Sequence, residues 1–211
     1  ADEDGVIALD ARLRVSRALG AGTERFAIQP YPAQLVETLA WDGRELQVRP
    51  IRPEDEARHR AFAEGLAPED LRLRFFSMRR ELPRSELARL VQIDYAREMA
   101  FVALAKNAEG ATETMGVVRA VADPDNIEAE FAIILRSDLK GRGLGHLLLD
   151  KMIRYLKGRG TQRLVCDVLR ENRAMRELAR SCGFQVDPAA SNGTSLRYLL
   201  ELQAAPAQAQ A

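Results

Sequence analysis

Residues 136–146 read RSDLKGRGLGH, a glycine-rich turn between an apolar stretch and a segment with helical periodicity. Apolar side chains recur at helical spacing over Gly143–Lys157, so we expect a helix to begin within the turn. The first amide N–H groups of a helix lack intrahelical partners and carry partial positive charge, which suits a phosphate or pyrophosphate. Glycines allow close approach to the backbone, and cationic side chains add charge. Both kinds of residue occur here: Lys140, Gly141, Arg142, Gly143, Gly145 and His146.

Glycine content alone leaves several interpretations of this turn open. One is a structural turn that enters a helix and binds nothing. A Walker-type phosphate loop would end in GKS or GKT, whereas residues 145–147 read GHL. A dinucleotide-binding turn would accommodate Asp167 near the end of the next strand, but it requires the spacing GxGxxG. The glycines here fall at alternate positions, so neither of those two phosphate-binding patterns fits.

The elements around the turn predict a mixed α+β domain. Strands are expected over Glu45–Pro50, Met99–Lys106, Thr114–Ala122, Ile127–Arg136, Arg163–Leu169, Phe184–Val186 and Leu196–Leu202. Helices are expected from Pro53 and over Pro32–Ala40, Pro68–Phe76, Pro83–Gln92, Gly143–Lys157 and Asn172–Ser181. Turn-rich joins favour antiparallel hairpins, while the helix after the glycine-rich turn connects two parallel strands by a right-handed crossover. We therefore expect a central, mostly antiparallel sheet with one parallel strand pair, flanked by helices.

Composition indicates an ordinary globular domain. The chain has 211 residues, 46% hydrophobic and 29% charged, with 31 basic and 31 acidic residues. A formal net charge of zero gives no global attraction to nucleic acid or to anionic membranes. The two cysteines, Cys166 and Cys182, and the two histidines have no metal-ligand spacing, so no metal is expected. With no long apolar run and no signal-peptide pattern, the sequence predicts a cytoplasmic protein.

An acidic residue within an apolar strand is a candidate general base. Residues 128–135 read EAEFAIIL, and alternation places Glu128 and Glu130 on one face. Glu130 adjoins the apolar run, whereas Glu128 lies nearer the turn and is expected to be solvated. A half-buried carboxylate at position 130 would suit a base that acts directly or through water. The alternative is an ion pair at the strand end, for example with Arg119.

Two motifs, in this order, resemble those of the GNAT superfamily of coenzyme A-dependent N-acetyltransferases. Residues 140–145 read KGRGLG, similar to the family pattern Gln/Arg-x-x-Gly-x-Gly/Ala at the start of the central helix. Lys140 replaces the usual first residue and keeps a cationic donor. Residues 172–184 read NRAMRELARSCGF, similar to the family's Asn…Gly-Phe segment. The resemblance covers residues 44–202.

The resemblance implies a GNAT fold with acetyl-CoA as cosubstrate. The backbone N–H groups of the turn would bind the pyrophosphate, and the parallel strands would splay to admit the pantetheine arm. Asn172 would contact that arm, although an Asn here is equally expected as a helix N-cap. Related transferases place a catalytic glutamate on this strand, which implies Glu130 as the base. The implied coenzyme-binding residues are Ile133, Ile134, Leu135, Lys140, Gly141, Arg142, Gly143, Leu144, Gly145, His146 and Asn172.

One position departs from the family pattern. Many members carry a tyrosine near the Asn…Gly-Phe helix as general acid for the leaving thiolate, and here that position is Ala179. The thiolate then leaves unassisted or another donor serves. Cys166 and Cys182 are expected to be core residues rather than nucleophiles, because no neighbouring feature argues for a lowered thiol pKa.

Further segments resemble a narrower group, the bacterial protein lysine acetyltransferases of the Pat type. In these proteins a GNAT domain is fused to a domain like ADP-forming acyl-CoA synthetases. The segments are residues 48–56 (VRPIRPEDE), 74–77 (RFFS), 92–95 (QIDY) and 121–126 (VADPDN). Residues 5–15 (GVIALDARLRV) look like the closing strand of that synthetase's ATP-grasp portion. The implied organisation is a domain tail plus linker at 1–40, the acetyltransferase domain at 41–202 and a disordered tail at 203–211.

The implied function is acetyl transfer from acetyl-CoA to a lysine ε-amine of a protein such as an acyl-CoA synthetase. The alternatives are a small-molecule amine acetyltransferase and a coenzyme-sensing module without turnover, which Ala179 favours. An arginine-rich helical region would border the acceptor side, either as a docking surface or as a solvated helix face. Its arginines are Arg58, Arg60, Arg72, Arg74, Arg79, Arg80, Arg84 and Arg89.

Overall fold

The computed structural model describes residues 29–77 and 83–202. The predicted strand over residues 5–15, the arginines at 79 and 80, and the tail from residue 203 lie outside those ranges.

An eight-stranded sheet runs through the described chain in the order β1-β2-β3-β4-β5-β6-β8-β7. Its strands are β1 (Glu37–Trp41), β2 (Arg44–Pro50), β3 (Glu98–Lys106), β4 (Thr112–Ala122), β5 (Glu128–Leu135), β6 (Arg163–Leu169), β7 (Gln185–Asp187) and β8 (Ser195–Glu201). Neighbouring strands are antiparallel except β5 and β6, which are parallel. The predicted fold class is confirmed, and the predicted strands are found with ends displaced by one or two residues.

Helices cover the two faces of the sheet unequally. They are α1 (Glu56–Glu64), α2 (Pro68–Phe75), α3 (Arg84–Val91), α4 (Leu144–Gly158) and α5 (Arg173–Ser181). On one face α4 and α5 bury a large apolar core, in which Leu148 and Met152 pack with Phe131. On the other face α1, α2 and α3 cover β2 to β5 with a smaller core that includes Phe62 and Val117. The face of β6 and β8 beside that smaller core carries charged side chains.

The predicted helix over Pro32–Ala40 is wrong. Ala33–Leu35 form one turn of 3-10 helix, and Glu37–Trp41 form strand β1. The physical reason is long-range pairing, since β1 lies in register with β2 and buries Trp41, which overrides local helix propensity. Asp42 and Gly43 make the hairpin turn with φ of 50° and 73°, both in the left-handed region that such two-residue turns require. The sheet therefore includes residues on the N-terminal side of the predicted boundary at Trp41.

The parallel strands diverge as expected. Pairing between β5 and β6 is limited to Glu128–Glu130 against Arg163–Val165. Beyond that point β5 stays paired with β4 as far as Leu135, while β6 stays paired with β8. The C-terminal halves of the two strands therefore separate and leave an opening in the sheet.

Candidate active site

A cleft of about 650 Å³ occupies the opening between β5 and β6, within the usual size of a cofactor or small-molecule site. The turn before α4, the N-terminal half of α5 and the C-terminal part of α2 complete its walls. Its lining contains these predicted residues: Glu130, Ile133, Ile134, Leu135, Lys140, Gly141, Gly143, Gly145, His146 and Asn172. The fold thus brings together segments that are far apart in sequence. Two of the predicted residues, Arg142 and Leu144, do not line the cleft.

The three glycines of the turn have two different roles. Gly141 and Gly143 have φ of 75° and 82°, a conformation that side chains with a Cβ rarely adopt, and a Cβ there would meet nothing within 4 Å. Both line the cleft, so their backbone is open to a ligand. A Cβ at Gly145 would lie 3.2 Å from Leu178 of α5. That glycine instead permits close packing of the two helices.

The start of α4 provides the expected backbone donors. Leu147 is the first residue of this helix whose N–H bonds back into the turn, to the Gly143 carbonyl at 3.2 Å. The amides of residues 144–146 precede that bond and belong to the unpaired set at a helix N-terminus. Leu144 itself is fully buried, so only its backbone could contact a ligand.

Lys140 is attached to α2. Its ammonium pairs with the carboxylate of Asp70, which is 7% exposed. Ser137 Oγ donates to Asp70 Oδ2 at 2.5 Å and accepts from the Ala67 N–H at 3.2 Å. These contacts fasten the N-terminal end of α2 to the turn. Lys140 remains about half exposed and keeps a face toward the cleft.

Arg142 points away from the cleft, toward the β1–β2 hairpin. Its Nη1 donates to Asp42 Oδ2 at 2.9 Å, and its carbonyl accepts from the indole Nε1 of Trp41 at 2.9 Å. His146 at the other end of the turn lies 2.6 Å from Ser181 Oγ. Because that hydroxyl donates to the Leu178 carbonyl, His146 Nε2 is the donor in this contact.

The edge of β5 that faces the cleft is free for hydrogen bonding. Residues 131–135 pair with β4 on one side, and none of the described strands lies against their other side. An extended ligand with amide groups, such as a pantetheine arm, can pair there in the manner of a strand. The predicted residues Ile133, Ile134 and Leu135 occupy this edge.

Asn172 is the N-cap of α5, one of the two alternatives predicted for it. Its Oδ1 accepts from the Met175 N–H at 3.1 Å. The cap uses only the side-chain oxygen, and the same residue lines the cleft. The amide group therefore retains donors that the cap does not use.

Glu130 lies where the cleft meets a second groove, on the open face of β6 and β8. The expectation that Glu130 is half-buried and Glu128 solvated is wrong, since their side chains are 63% and 32% exposed. The reason is that Arg163 and Arg197 lie over Glu128. The expected alternative partner, Arg119, pairs instead with Glu98 and the Leu90 carbonyl.

Three carboxylates surround one arginine in this groove. Arg197 Nη1 lies 2.6 Å from Asp167 and 3.6 Å from Glu130, and Nη2 lies 3.1 Å from Glu128. Partial burial acts to lower the pKa of Arg197, but pairing with Asp167 raises it overall. The groove has a volume of about 600 Å³ and opens to solvent beside Glu130.

The end of α2 forms the rim between cleft and groove. Burial lowers the pKa of Arg74 to about 10, with a further contribution from Arg119. Arg74 stacks on Phe75, with its Cζ 4.8 Å from the ring centroid. Phe76 follows with a left-handed φ of 57° and is 46% exposed, and it lines both cavities.

The cysteines behave as predicted rather than as nucleophiles. Cys166 is 1% exposed, and burial raises the pKa of its thiol far above the usual range. Burial also raises the pKa of Cys182. Ala179 is fully buried in the larger core, so a tyrosine in its place would have to be accommodated by repacking.

Sequence reasoning missed several residues that shape the site, namely Trp41, Asp70, Phe76, Ser137 and Arg197. Apart from Phe76, each acts through a contact with a distant part of the chain; Trp41 and Arg142, for example, are 101 positions apart. Only the RFFS segment around Phe76 gave a signal, through its resemblance to the Pat group.

Within residues 29–77 and 83–202, no helix is long and apolar enough to cross a membrane. The same residues contain no cluster of three His, Cys, Asp or Glu side chains that could hold a metal ion.

Known proteins share this sequence pattern and fold. An acetyltransferase of Pseudomonas aeruginosa is 34% identical over 149 residues, which cover 70% of this chain and 80% of that protein. Acetyltransferase Pat of Mycolicibacterium smegmatis is 32% identical over 157 residues, which cover 74% of this chain and 44% of that protein. This chain thus matches less than half the length of that Pat enzyme.

The fold has a counterpart among solved structures. The crystal structure of the GNAT domain of S. lividans PAT superposes with a TM-score of 0.73 at 24% identity, covering 82% of this chain and all of that one. The sequence profile of the Acetyltransferase (GNAT) domain matches residues 45–185, the region that contains the cleft, the turn and Glu130. The chain therefore belongs to the GNAT family of acetyltransferases, whose acyl donor is acetyl-CoA.

Proposed function

We propose that this GNAT acetyltransferase transfers the acetyl group of acetyl-CoA to a lysine ε-amine on the surface of a protein. The observation that carries the proposal is the open, acid-lined groove that meets the coenzyme cleft at Glu130. A solvent-open groove admits a side chain projecting from a large partner, whereas a small amine needs an enclosing pocket to be held.

The donor side would bind acetyl-CoA through backbone groups. The amides at the start of α4 would hold the pyrophosphate, and Lys140 would add charge from its position on Asp70. The free edge of β5 would pair with the pantetheine arm. Bound acetyl-CoA supplies the activated thioester.

Glu130 would act as the general base, directly or through water. A lysine amine with a pKa near 10.4 is only about 0.04% neutral at pH 7, so its deprotonation costs roughly 4.6 kcal/mol. The amine nitrogen bonds to the acetyl carbon and the C–S bond breaks, leaving the electron pair on sulfur. Of the two protons that the ammonium loses, one passes through Glu130 to solvent. The other protonates the thiolate or is released.

Exposure of Glu130 is compatible with this role. Its carboxylate stands between the donor cleft and the acceptor groove, so bound substrates on either side would cover it and exclude bulk water. Asp167 and Glu128 add negative charge nearby, which favours the approach of an ammonium group, while Arg197 keeps the three carboxylates together.

The arginine-rich helices support the solvated-face alternative rather than a docking surface. Arg58, Arg60 and Arg72 each pair with an acid three or four residues away, at 2.5 to 2.8 Å. Such local pairs stabilise a helix and leave little free charge for a partner. Arg74 is stacked at the rim of the cleft.

The proposal is tested by thiol release from acetyl-CoA with several acceptors. A purified acyl-CoA synthetase, spermidine and free lysine would be compared at equal concentrations, and acetylated lysines would be located by mass spectrometry. We expect the highest kcat/KM with the protein, and loss of that activity in Glu130→Gln. A higher kcat/KM for spermidine than for the protein would favour small-molecule acetylation, to which the acidic groove also lends support.

A further inference from the structure

Trp41 joins the β1–β2 hairpin to the pyrophosphate turn. It is the last residue of β1 and is 7% exposed. Its indole Nε1 donates to the Arg142 carbonyl at 2.9 Å. A buried side-chain donor that meets a turn carbonyl restrains one peptide unit of that turn.

The restrained peptide unit is the one that leads into Gly143. A peptide bond is planar and trans, so its C=O and the following N–H point in opposite directions. With the Arg142 carbonyl held on Trp41, the Gly143 N–H is turned to the other side of the turn. Gly143 lines the cleft, whereas Trp41 and Arg142 do not.

A second contact supports the same arrangement. Asp42, next to Trp41, accepts from Arg142 Nη1 at 2.9 Å. Asp42 and Arg142 are 36% and 50% exposed, so this ion pair contributes little by itself. The ion pair instead helps to orient Arg142, because the hairpin holds both its side chain and its carbonyl away from the cleft.

We propose that Trp41 is a positioning residue for the coenzyme's pyrophosphate. Its indole N–H fixes the peptide between Arg142 and Gly143 so that the Gly143 amide faces the phosphate oxygens. Glycine at 143 is free to adopt several backbone conformations, and the bond from Trp41 selects one of them before the ligand arrives. This inference concerns coenzyme binding alone and holds for any acceptor.

The test compares two ligands in Trp41→Phe. The substitution keeps an aromatic ring in the core but removes the N–H donor. We expect the Kd for CoA, measured by calorimetry, to rise roughly 3- to 10-fold, the effect of losing one hydrogen bond. The Kd for pantetheine, which lacks the pyrophosphate, should stay unchanged when measured by ligand-detected NMR titration.

Tyr31→Phe is the matched control. It also removes one side-chain donor to a backbone carbonyl near the start of the described chain, where Tyr31 Oη donates to the Pro50 carbonyl at 3.2 Å. That bond is not at the turn, so CoA affinity should be unaffected. Equal weakening of CoA in both variants, or equal weakening of CoA and pantetheine in Trp41→Phe, would overturn the proposal.

A measurement on the unsubstituted protein keeps the test decisive if Trp41→Phe folds poorly. Trp41 is the single tryptophan of the sequence, so its emission reports directly on the turn. CoA should shift that emission, because the charge of its pyrophosphate would lie beside the peptide that the indole N–H holds, and pantetheine, which lacks that charge, should not. An emission that responds to neither ligand, or equally to both, contradicts the proposal. Failure of wild-type protein to bind CoA would instead refute the proposed acetyl transfer.

Discussion

The proposed donor side and the proposed acceptor side of this site are built in different ways. On the donor side one short segment, residues 140–146, is held in place by buried contacts from Trp41 and Asp70. On the acceptor side Glu130 and Arg197 come from separate strands, and the Glu130 side chain is 63% exposed. The donor side therefore presents a fixed shape for a ligand common to the whole family. The acceptor side presents charged side chains along an open groove. Specificity for one amine over another can vary at these positions.

Helix α2 connects the two sides. Asp70 in its first half pairs with Lys140 of the turn, and Phe76 just after its end lines both cavities. The substitutions below separate the contributions of the two sides.

The largest effect is expected at the acceptor side, in Glu130→Gln. Removing a general base lowers kcat by about 10²- to 10⁴-fold. The KM for acetyl-CoA should change little, because the donor turn is untouched. The defect should shrink at high pH, where more of the amine is already neutral. Steady-state thiol release between pH 7 and 10 provides the measurement.

Glu128→Gln is the matched control for that prediction. Both glutamates lie on the same face of β5 and within 3.6 Å of Arg197, but only Glu130 borders the coenzyme cleft. We expect a much smaller loss of kcat for Glu128→Gln. Equal losses would mean that the carboxylates act only by placing Arg197, and the base would have to be sought elsewhere.

The donor side is tested by Gly143→Val. Valine at a φ of 82° is strained, and its side chain would project into open space beside the cleft. Loss of backbone bonds to a charged pyrophosphate should weaken CoA binding on the order of 10- to 100-fold. Thermal protection by CoA should fall accordingly.

Gly160→Val controls for strain. Gly160 has a φ of 76° and equally open surroundings, but it lies beyond the C-terminal end of α4. Both variants should lose similar stability, and only Gly143→Val should lose CoA affinity. If Gly160→Val weakens CoA as much, the turn does not bind the coenzyme through its backbone.

The same contrast explains what the sequence could predict. The start of α4 and the N-cap at Asn172 depend on neighbours within a few residues; the sequence predicts the first correctly and offers the second as one of two alternatives. The relative exposure of Glu128 and Glu130 is not predictable in this way, because it depends on Arg163 of β6 and Arg197 of β8, which lie over Glu128. The strand nature of Glu37–Trp41 likewise depends on its partner β2. Local chemistry and the hairpins joined by short turns are visible in this sequence, whereas the pairing of β1 and the side-chain contacts of β8 are not.

Acid should destabilise the acceptor-side helices through His59 of α1. Burial lowers the pKa of His59 to about 4, and the charge of Arg119 adds to the shift. The unfolded chain, with a pKa near 6.5, takes up a proton before the folded chain does, so stability is lost as pH falls from about 6.5 to about 4. The loss should reach about 2 kcal/mol by pH 5. Urea unfolding at pH 7.5 and 5 gives the value.

His59→Phe should flatten that dependence, because the variant lacks the buried imidazole whose pKa differs between the folded and the unfolded chain. The change in its free energy of unfolding with pH is more informative than the value at any one pH. A wild-type free energy of unfolding that stays constant between pH 7.5 and 5 would show that the folded chain takes up a proton on His59 as readily as the unfolded chain does. Below the pKa of His59, the packing around α1 would then contain a buried charge that Asp55 compensates.

The smallest effect on stability is expected at Phe76, and its sign is informative. Phe76 adopts a φ of 57°, where glycine is favoured over any side chain by about 1 kcal/mol, and its ring is 46% exposed. Phe76→Gly should therefore keep or slightly raise the unfolding free energy, while Phe76→Ala keeps the strain and loses the ring. If the Phe76 ring contacts the acceptor near Glu130, both variants should raise the KM for the acceptor several-fold. The KM for acetyl-CoA should stay unchanged. A clear drop in the stability of Phe76→Gly, with acceptor kinetics intact, would place the ring in the core of the acceptor side rather than at its entrance.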